Sequence, residues 1–189
     1  MNTHYRHLLE QIENRPEFFE YVGAEDFKLK KFLDRNIRNQ SQLTESDLFE
    51  IAKIKSARRP KLVYSNEKGA IEKITRFAFS EDNETTKLRI LCALNGVGPG
   101  VASAVLAWTR PEQYGVIDVR AWRALHHFNM QGFESSKATI KIEDWDIYLR
   151  TIRIISNMAG RTPQEVDLWL YHFDSKEIGK ISKAGRNKK

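Results

Sequence analysis

Residues 91–123 read LCALNGVGPGVASAVLAWTRPEQYGVIDVRAWR, and the remainder of the chain is best read outward from them. The stretch begins in the apolar end of a helix, predicted over Leu88 to Leu94. Asn95 to Gly100 then places three glycines in six residues. Glycine accepts positive φ and lets another chain approach the backbone closely. A second apolar helix is predicted over Val101 to Trp108, opened by Pro99. At a first helical position proline's fixed φ fits, and the N–H it lacks would have no partner anyway. The pattern is two helices joined by a tight hairpin. The N–H groups at the start of the second helix carry partial positive charge, which suits phosphate. After Pro111 an apolar run through Ile117 meets a third helix at Asp118, and Val119-Arg120-Ala121-Trp122-Arg123 follows.

Further out, the signals are helical throughout. Tyr5, Leu8, Leu9 and Ile12 recur at helical spacing over 3–14, and Pro16 starts a short helix that Gly23 ends. Phe27, Phe32, Leu33 and Ile37 mark a helix over 24–37 whose lysines face solvent. Thr44 caps a helix over 48–54, and Asn66 precedes one over 70–79. The loop Lys55 to Lys61 is basic and reads equally as a polar linker or a DNA contact. Beyond Asp118 a helix runs to about Phe128, and a long one spans 142–159, closed by Gly160. Thr162-Pro163-Gln164-Glu165 is a capping box that starts the last helix, Val166 to Phe173. No stretch alternates with period two, no Gly/Ser linker divides the chain, and no repeat appears. An all-α protein of nine or ten helices is the expectation.

Composition narrows the class of function. At 189 residues the chain can bury one sizeable core or two small lobes. No apolar run reaches the ~18 residues of a membrane span, and the start MNTHYRHLLEQIENR does not read as a signal peptide. The single Cys92 rules out an internal disulfide and fits a reducing cytoplasm. Net charge is +6, but residues 174–189 hold six Lys/Arg against two acids, so +4 of it lies in a basic tail. Charge therefore permits a nucleic-acid partner without establishing one.

The motif L-x-G-V-G-x-x-x-A, followed about twenty residues later by V-I-D-V-R at a helix start, resembles the helix-hairpin-helix-GPD superfamily of DNA base-excision glycosylases. The wording around Cys92 to Val101 and Asp118 to Trp122 looks most like the 8-oxoguanine glycosylase branch, over about 35 residues. The resemblance implies a two-lobed fold with a central cleft. One lobe would hold 24–109, ending in the hairpin; the other would hold 1–23 and 110–173, with 174–189 as a mobile tail. It implies double-stranded DNA as partner, a monomer, and Asp118 as the catalytic carboxylate.

Cleavage of an N-glycosidic bond builds positive charge on the deoxyribose, and a fixed carboxylate stabilises that charge and activates water. At a helix start an aspartate is also an ordinary N-cap, and capping would keep it ionised and rigid. Bifunctional members of the superfamily carry a lysine two residues after the second hairpin glycine. Here Gly100 occupies that position, which has no nucleophile to offer. The expectation is a monofunctional enzyme that uses water; a non-catalytic DNA clamp and an unrelated helical scaffold are the alternatives.

The N–H groups of Gly96, Gly98, Gly100 and Val101, together with Arg120, are the candidates for DNA-backbone contact. Arg123, one turn on from Arg120, faces either phosphate or solvent. Trp108 and Trp122 are candidates for stacking on an extruded base, although aromatics at this spacing are more often core. By resemblance, the carbonyls of Cys92, Leu94 and Val97 would hold a monovalent cation. No other cofactor is required, and one cysteine cannot support the superfamily's iron–sulfur cluster. His126 and His127 lack a third ligand for zinc.

Overall fold

A computed structural model describes residues 3–20 and 37–179. Within them the protein is helical with no strand. The helix expected over 24–37 lies largely outside the described residues, as does the tail beyond 179. No helix among the described residues is long and apolar enough to cross a membrane.

Helix α1 (Thr3–Asn14) buries Leu8 and Ile12, and a 3-10 turn, Pro16–Phe19, follows it. Helix α2 (Glu45–Lys55) is fixed by a reciprocal cap: the Asp47 N–H donates to Thr44 Oγ1 at 3.2 Å, and the Thr44 N–H donates to the Asp47 carboxylate at 3.0 Å. Glu45 and Asp47 lie in its first turn and Lys53 and Lys55 in its last, which matches the helix dipole. Lys55 is thus the final residue of a helix rather than part of a loop. A second 3-10 turn, Pro60–Ser65, folds back so that Tyr64 stacks on Phe49, ring centroids 4.7 Å apart.

Helices α3 (Ala70–Ser80) and α4 (Glu84–Cys92) pack on each other. Helix α4 spans 84–92 rather than the predicted 88–94 because the Asn83 side chain caps it, accepting the Thr86 N–H at 2.9 Å. Helix α5 (Pro99–Thr109) is buried along Val101–Thr109. A helix apolar all round belongs at the centre of a core, and α5 packs against α2, α4 and the last helix, α8 (Pro163–Phe173). Between α5 and α8 come α6 (Val119–His127) and α7 (Trp145–Ala159).

Two features fix how α8 sits. At Gly115 an added Cβ would stand 3.0 Å from the Pro163 carbonyl and 3.1 Å from Asp167 Cβ, so the missing side chain lets α8 press against the segment before Asp118. Beyond α8 the chain turns through Asp174–Ile178, and Asp174 is fully buried. Arg123 meets it with two hydrogen bonds, Nε to Oδ1 and Nη2 to Oδ2, both 2.6 Å. Arg123 is thus committed to Asp174 although its side chain stays 42% exposed: it neutralises a buried carboxylate and ties α6 to the end of the fold.

Candidate active site

The hairpin is held from the side by a pair of asparagines. The Asn95 N–H donates to Asn66 Oδ1 at 2.8 Å, and Asn66 Nδ2 returns a bond to the Asn95 carbonyl at 3.1 Å. The chain then turns through Gly96 with φ +84°, where a Cβ would also lie 3.1 Å from the Val63 N. Both conformation and space require glycine there. Gly98 is extended and opens α5, with no side-chain cap, and Pro99 takes the first helical position. The N–H groups of the first turn, including those of Gly100 and Val101, are thus not covered by a capping side chain.

The basic loop lies against this turn. Arg58 and Arg59, both exposed, join Asn95, Gly96, Val97 and Gly98 around a groove of about 530 Å³. Two guanidinium groups and a helix start along one groove are a concentrated anion-binding edge. Spacing in the sequence left this loop ambiguous; its fold-back through Pro60–Ser65 brings it to the hairpin.

Asp118 caps α6. Its Oδ1 accepts the N–H groups of Arg120 and Ala121, each at 2.9 Å. Its Oδ2 accepts from Lys55 Nζ at 2.7 Å, across 63 residues of sequence. Burial on its own would raise the carboxyl's pKa; the Lys55 charge and hydrogen bond, with the two backbone donors, outweigh it and hold the group below the ordinary value. Ser103 Oγ steadies the approach to the cap by accepting the Ile117 N–H at 3.1 Å. The lysine stem passes the hairpin on its way: Lys55 Cε lies 3.5 Å from where a Gly100 Cβ would be. An ammonium thus stands beside the aspartate after all, delivered by α2 rather than by position 100.

Asp118 and Lys55 line a pocket of about 370 Å³, within the ~300–1,000 Å³ range of small-molecule sites. Trp108, Leu168 and Tyr171 supply apolar and aromatic wall, and Arg120 lies with its guanidinium 4.8 Å from the Tyr171 ring centre. The pocket also contains a second carboxyl, Asp167. The fully buried Tyr148 hydroxyl lies 2.9 Å from Asp167 Oδ1 and 2.9 Å from the Val116 carbonyl. Burial first, then the charge of Asp118, pushes the Asp167 carboxyl up to about 7, against the opposing pull of Lys55 and of hydrogen bonds with Tyr148 and Val116. Two carboxyls in one pocket are thus driven apart in acidity, one ionised and one proton-holding near neutrality.

The structure brings Asp118, Trp108 and Arg120 together and sets Trp122 elsewhere. Trp122 is 2% exposed, donates to the Ser135 carbonyl at 2.9 Å and packs on Phe133 with ring centroids 4.4 Å apart. It belongs to the core and does not line the pocket, because its face of α6 points away from Asp118. Burial pushes the Cys92 thiol up to about 11, which leaves it unreactive near neutral pH. The side chains of Leu94 and Val97 are buried, and the Leu94 carbonyl accepts the Val97 N–H at 3.1 Å. No group of three or more His, Cys, Asp or Glu side chains arranged for a metal occurs among the described residues.

Sequence reading missed Lys55, Asp167, Leu168 and Tyr171. One clue to Asp167 was present: it is an acid embedded in the apolar run Val166-Asp167-Leu168-Trp169-Leu170. Comparison with protein-family models, curated proteins and solved structures finds no match to the chain.

Proposed function

We propose that the protein is a DNA base-excision glycosylase of the helix-hairpin-helix-GPD type, monofunctional and using water. The observation that carries this reading is Asp118 in the wall of a base-sized pocket, joined to the glycine hairpin through the Lys55 stem. In this reading residues 24–109 and 110–173 with 1–23 are the two lobes. The pocket draws its lining from both stretches, Ile54 to Trp108 and Val116 to Tyr171. The hairpin N–H groups with Arg58 and Arg59 hold the phosphates, and an extruded nucleotide enters the pocket between Trp108 and Tyr171.

As the C1′–N bond breaks, the sugar becomes cationic. Asp118 is held ionised and fixed in direction by its two backbone donors, so it stabilises that charge with little reorganisation. Water then adds at C1′. In this reading Lys55 Nζ is engaged in its ion pair with Asp118, 2.7 Å from Oδ2, and is not the nucleophile. That keeps the reaction hydrolytic. The carbonyls of Cys92, Leu94 and Val97 are neutral oxygens. Leu94's already accepts one hydrogen bond and retains a second lone pair, so the set fits a monovalent cation that would brace the hairpin.

A second reading, a DNA clamp without chemistry, draws on the same contacts: three donors already satisfy the Asp118 carboxylate, as in a structural cap. Excision assays on duplexes carrying uracil, hypoxanthine, alkylpurines and 8-oxoguanine separate the two. The glycosylase reading expects release of at least one base and its loss in Asp118→Asn. Duplex binding with no release of any base supports the clamp instead. Borohydride should trap no protein–DNA adduct. An adduct that disappears in Lys55→Ala would overturn the hydrolytic mechanism and make Lys55 the nucleophile.

A further inference from the structure

We infer that Asp167 is the general acid of this pocket, donating a proton to the departing base, and that the substrate is therefore an uncharged base rather than an alkylated, already cationic one. This rests on the glycosylase reading above and goes beyond it by assigning the leaving-group chemistry.

The geometry is that of a paired-carboxyl site. Asp118 and Asp167 line the same pocket from different helices, α6 and α8. Each is given a different task by its neighbours. Asp118 has an ammonium and two backbone donors, all of which favour the charged form. Asp167 has no ammonium at hydrogen-bond distance, and its one backbone hydrogen bond, with Val116, compares with two at Asp118. Its contact on α7 is the Tyr148 hydroxyl, and it is 8% exposed, at the edge of the pocket. The remaining groups that face it are Lys55 from α2, Arg120 from α6, and Tyr171 one turn along its own helix. Its raised pKa, about 7, agrees with this environment.

The close approach at Gly115 brings Asp167 to the segment that ends in Asp118.

The step balances as follows. The C1′–N bond breaks and its electron pair passes to the base. The Asp167 proton goes to a ring nitrogen of that base, which leaves neutral. Water adds to C1′ of the sugar cation, its surplus proton leaves to solvent, and Asp167 regains one from solvent. An uncharged base is a poor leaving group and gains from protonation; a base such as 7-methylguanine carries its positive charge beforehand and gains nothing.

The test compares Asp167→Asn with the wild-type protein on two kinds of duplex: the uncharged lesion it releases best, and 7-methylguanine. Loss of release from the uncharged lesion by ~100-fold or more is expected, in the usual range for a general acid, with release of 7-methylguanine, where wild type shows it, changed by less than about threefold. The wild-type rate on the uncharged lesion should fall as pH rises through about 7, and that alkaline limb should be absent in Asp167→Asn. Tyr148→Phe removes a hydrogen bond that stabilises the ionised acid, so it should move the limb to higher pH. That variant and Asp167→Glu, which keeps the acid, serve if the asparagine variant does not fold.

Asp118-dependent release that Asp167→Asn leaves intact, or lowers equally on both lesions with the pH limb unchanged, overturns this inference alone. So does a wild-type protein that releases only 7-methylguanine. A wild-type protein that releases no base overturns the glycosylase reading, and this inference with it.

Discussion

Asp167→Asn carries a stability signature that is independent of any activity. Below about pH 4 the carboxyl is protonated in both the folded and unfolded chain, and the substitution replaces one neutral group by another. As pH rises past the ordinary value of 3.8 the unfolded chain gives up its proton, while the folded protein holds it until about 7. Over that window the unfolded state binds fewer protons, so wild-type stability falls with rising pH, and it levels off above about 7. The interval from 3.8 to about 7, at about 1.4 kcal/mol per tenfold in proton affinity, sets a ceiling of about 4 kcal/mol. Asparagine cannot ionise, and its amide matches the protonated acid in carrying both a donor and an acceptor. The variant should therefore match the wild-type protein near pH 4 and exceed it at pH 8, by up to ~4 kcal/mol or on the order of 10 °C in Tm for a chain of this size. Urea denaturation of both proteins at half-unit steps from pH 4 to 9 measures the difference directly and cancels the titrating groups that Asp167 does not touch or face. A difference that stays flat with pH, or grows toward acid, would refute the assignment of a raised pKa to this carboxyl.

Two further substitutions probe the framework that holds the pocket. Gly96→Ala puts a side chain on φ +84° and a Cβ 3.1 Å from the Val63 N; a loss of about 1–3 kcal/mol in denaturant unfolding is expected, along with weaker duplex binding, and unchanged stability would contradict the hairpin geometry. Arg123→Met strands the fully buried Asp174 carboxylate, so thermal unfolding should show a loss of ~3–5 kcal/mol at pH 7. The double change Arg123→Met with Asp174→Asn should recover part of that loss, because no buried charge remains.

The local chemistry of this chain was plain in its sequence. Thr44 with Asp47, Thr162 with Glu165, Pro99 and Asp118 each act on backbone groups within three residues, and all four appear where their residue types require. Gly96 likewise does what a glycine between two apolar helices is expected to do. The pocket was half legible. Asp118 and Trp108 were identified, but their partners arrive from elements whose approach only packing decides. Lys55 read as loop because the basic run after it hid the end of α2. Asp167 and Tyr171 share one face of α8 that meets Asp118 only because Gly115 has no side chain. Trp122 was drawn toward the site by its nearness to Asp118 in sequence, yet successive helical residues point in different directions, and its direction is the core.

The ion pair between Lys55 and Asp118 has a practical corollary. Its cation rides on the last residue of α2, a helix terminus, where fraying begins. Its anion is anchored on α6, beside the buried centre of the molecule. On gentle heating the terminal turn of α2 should loosen while the interior is still intact, and the lysine should leave its post first. If the glycosylase reading holds, base release would then fade at temperatures where circular dichroism still records a native protein. For this molecule a thermal scan of spectroscopic signal would overstate its working range.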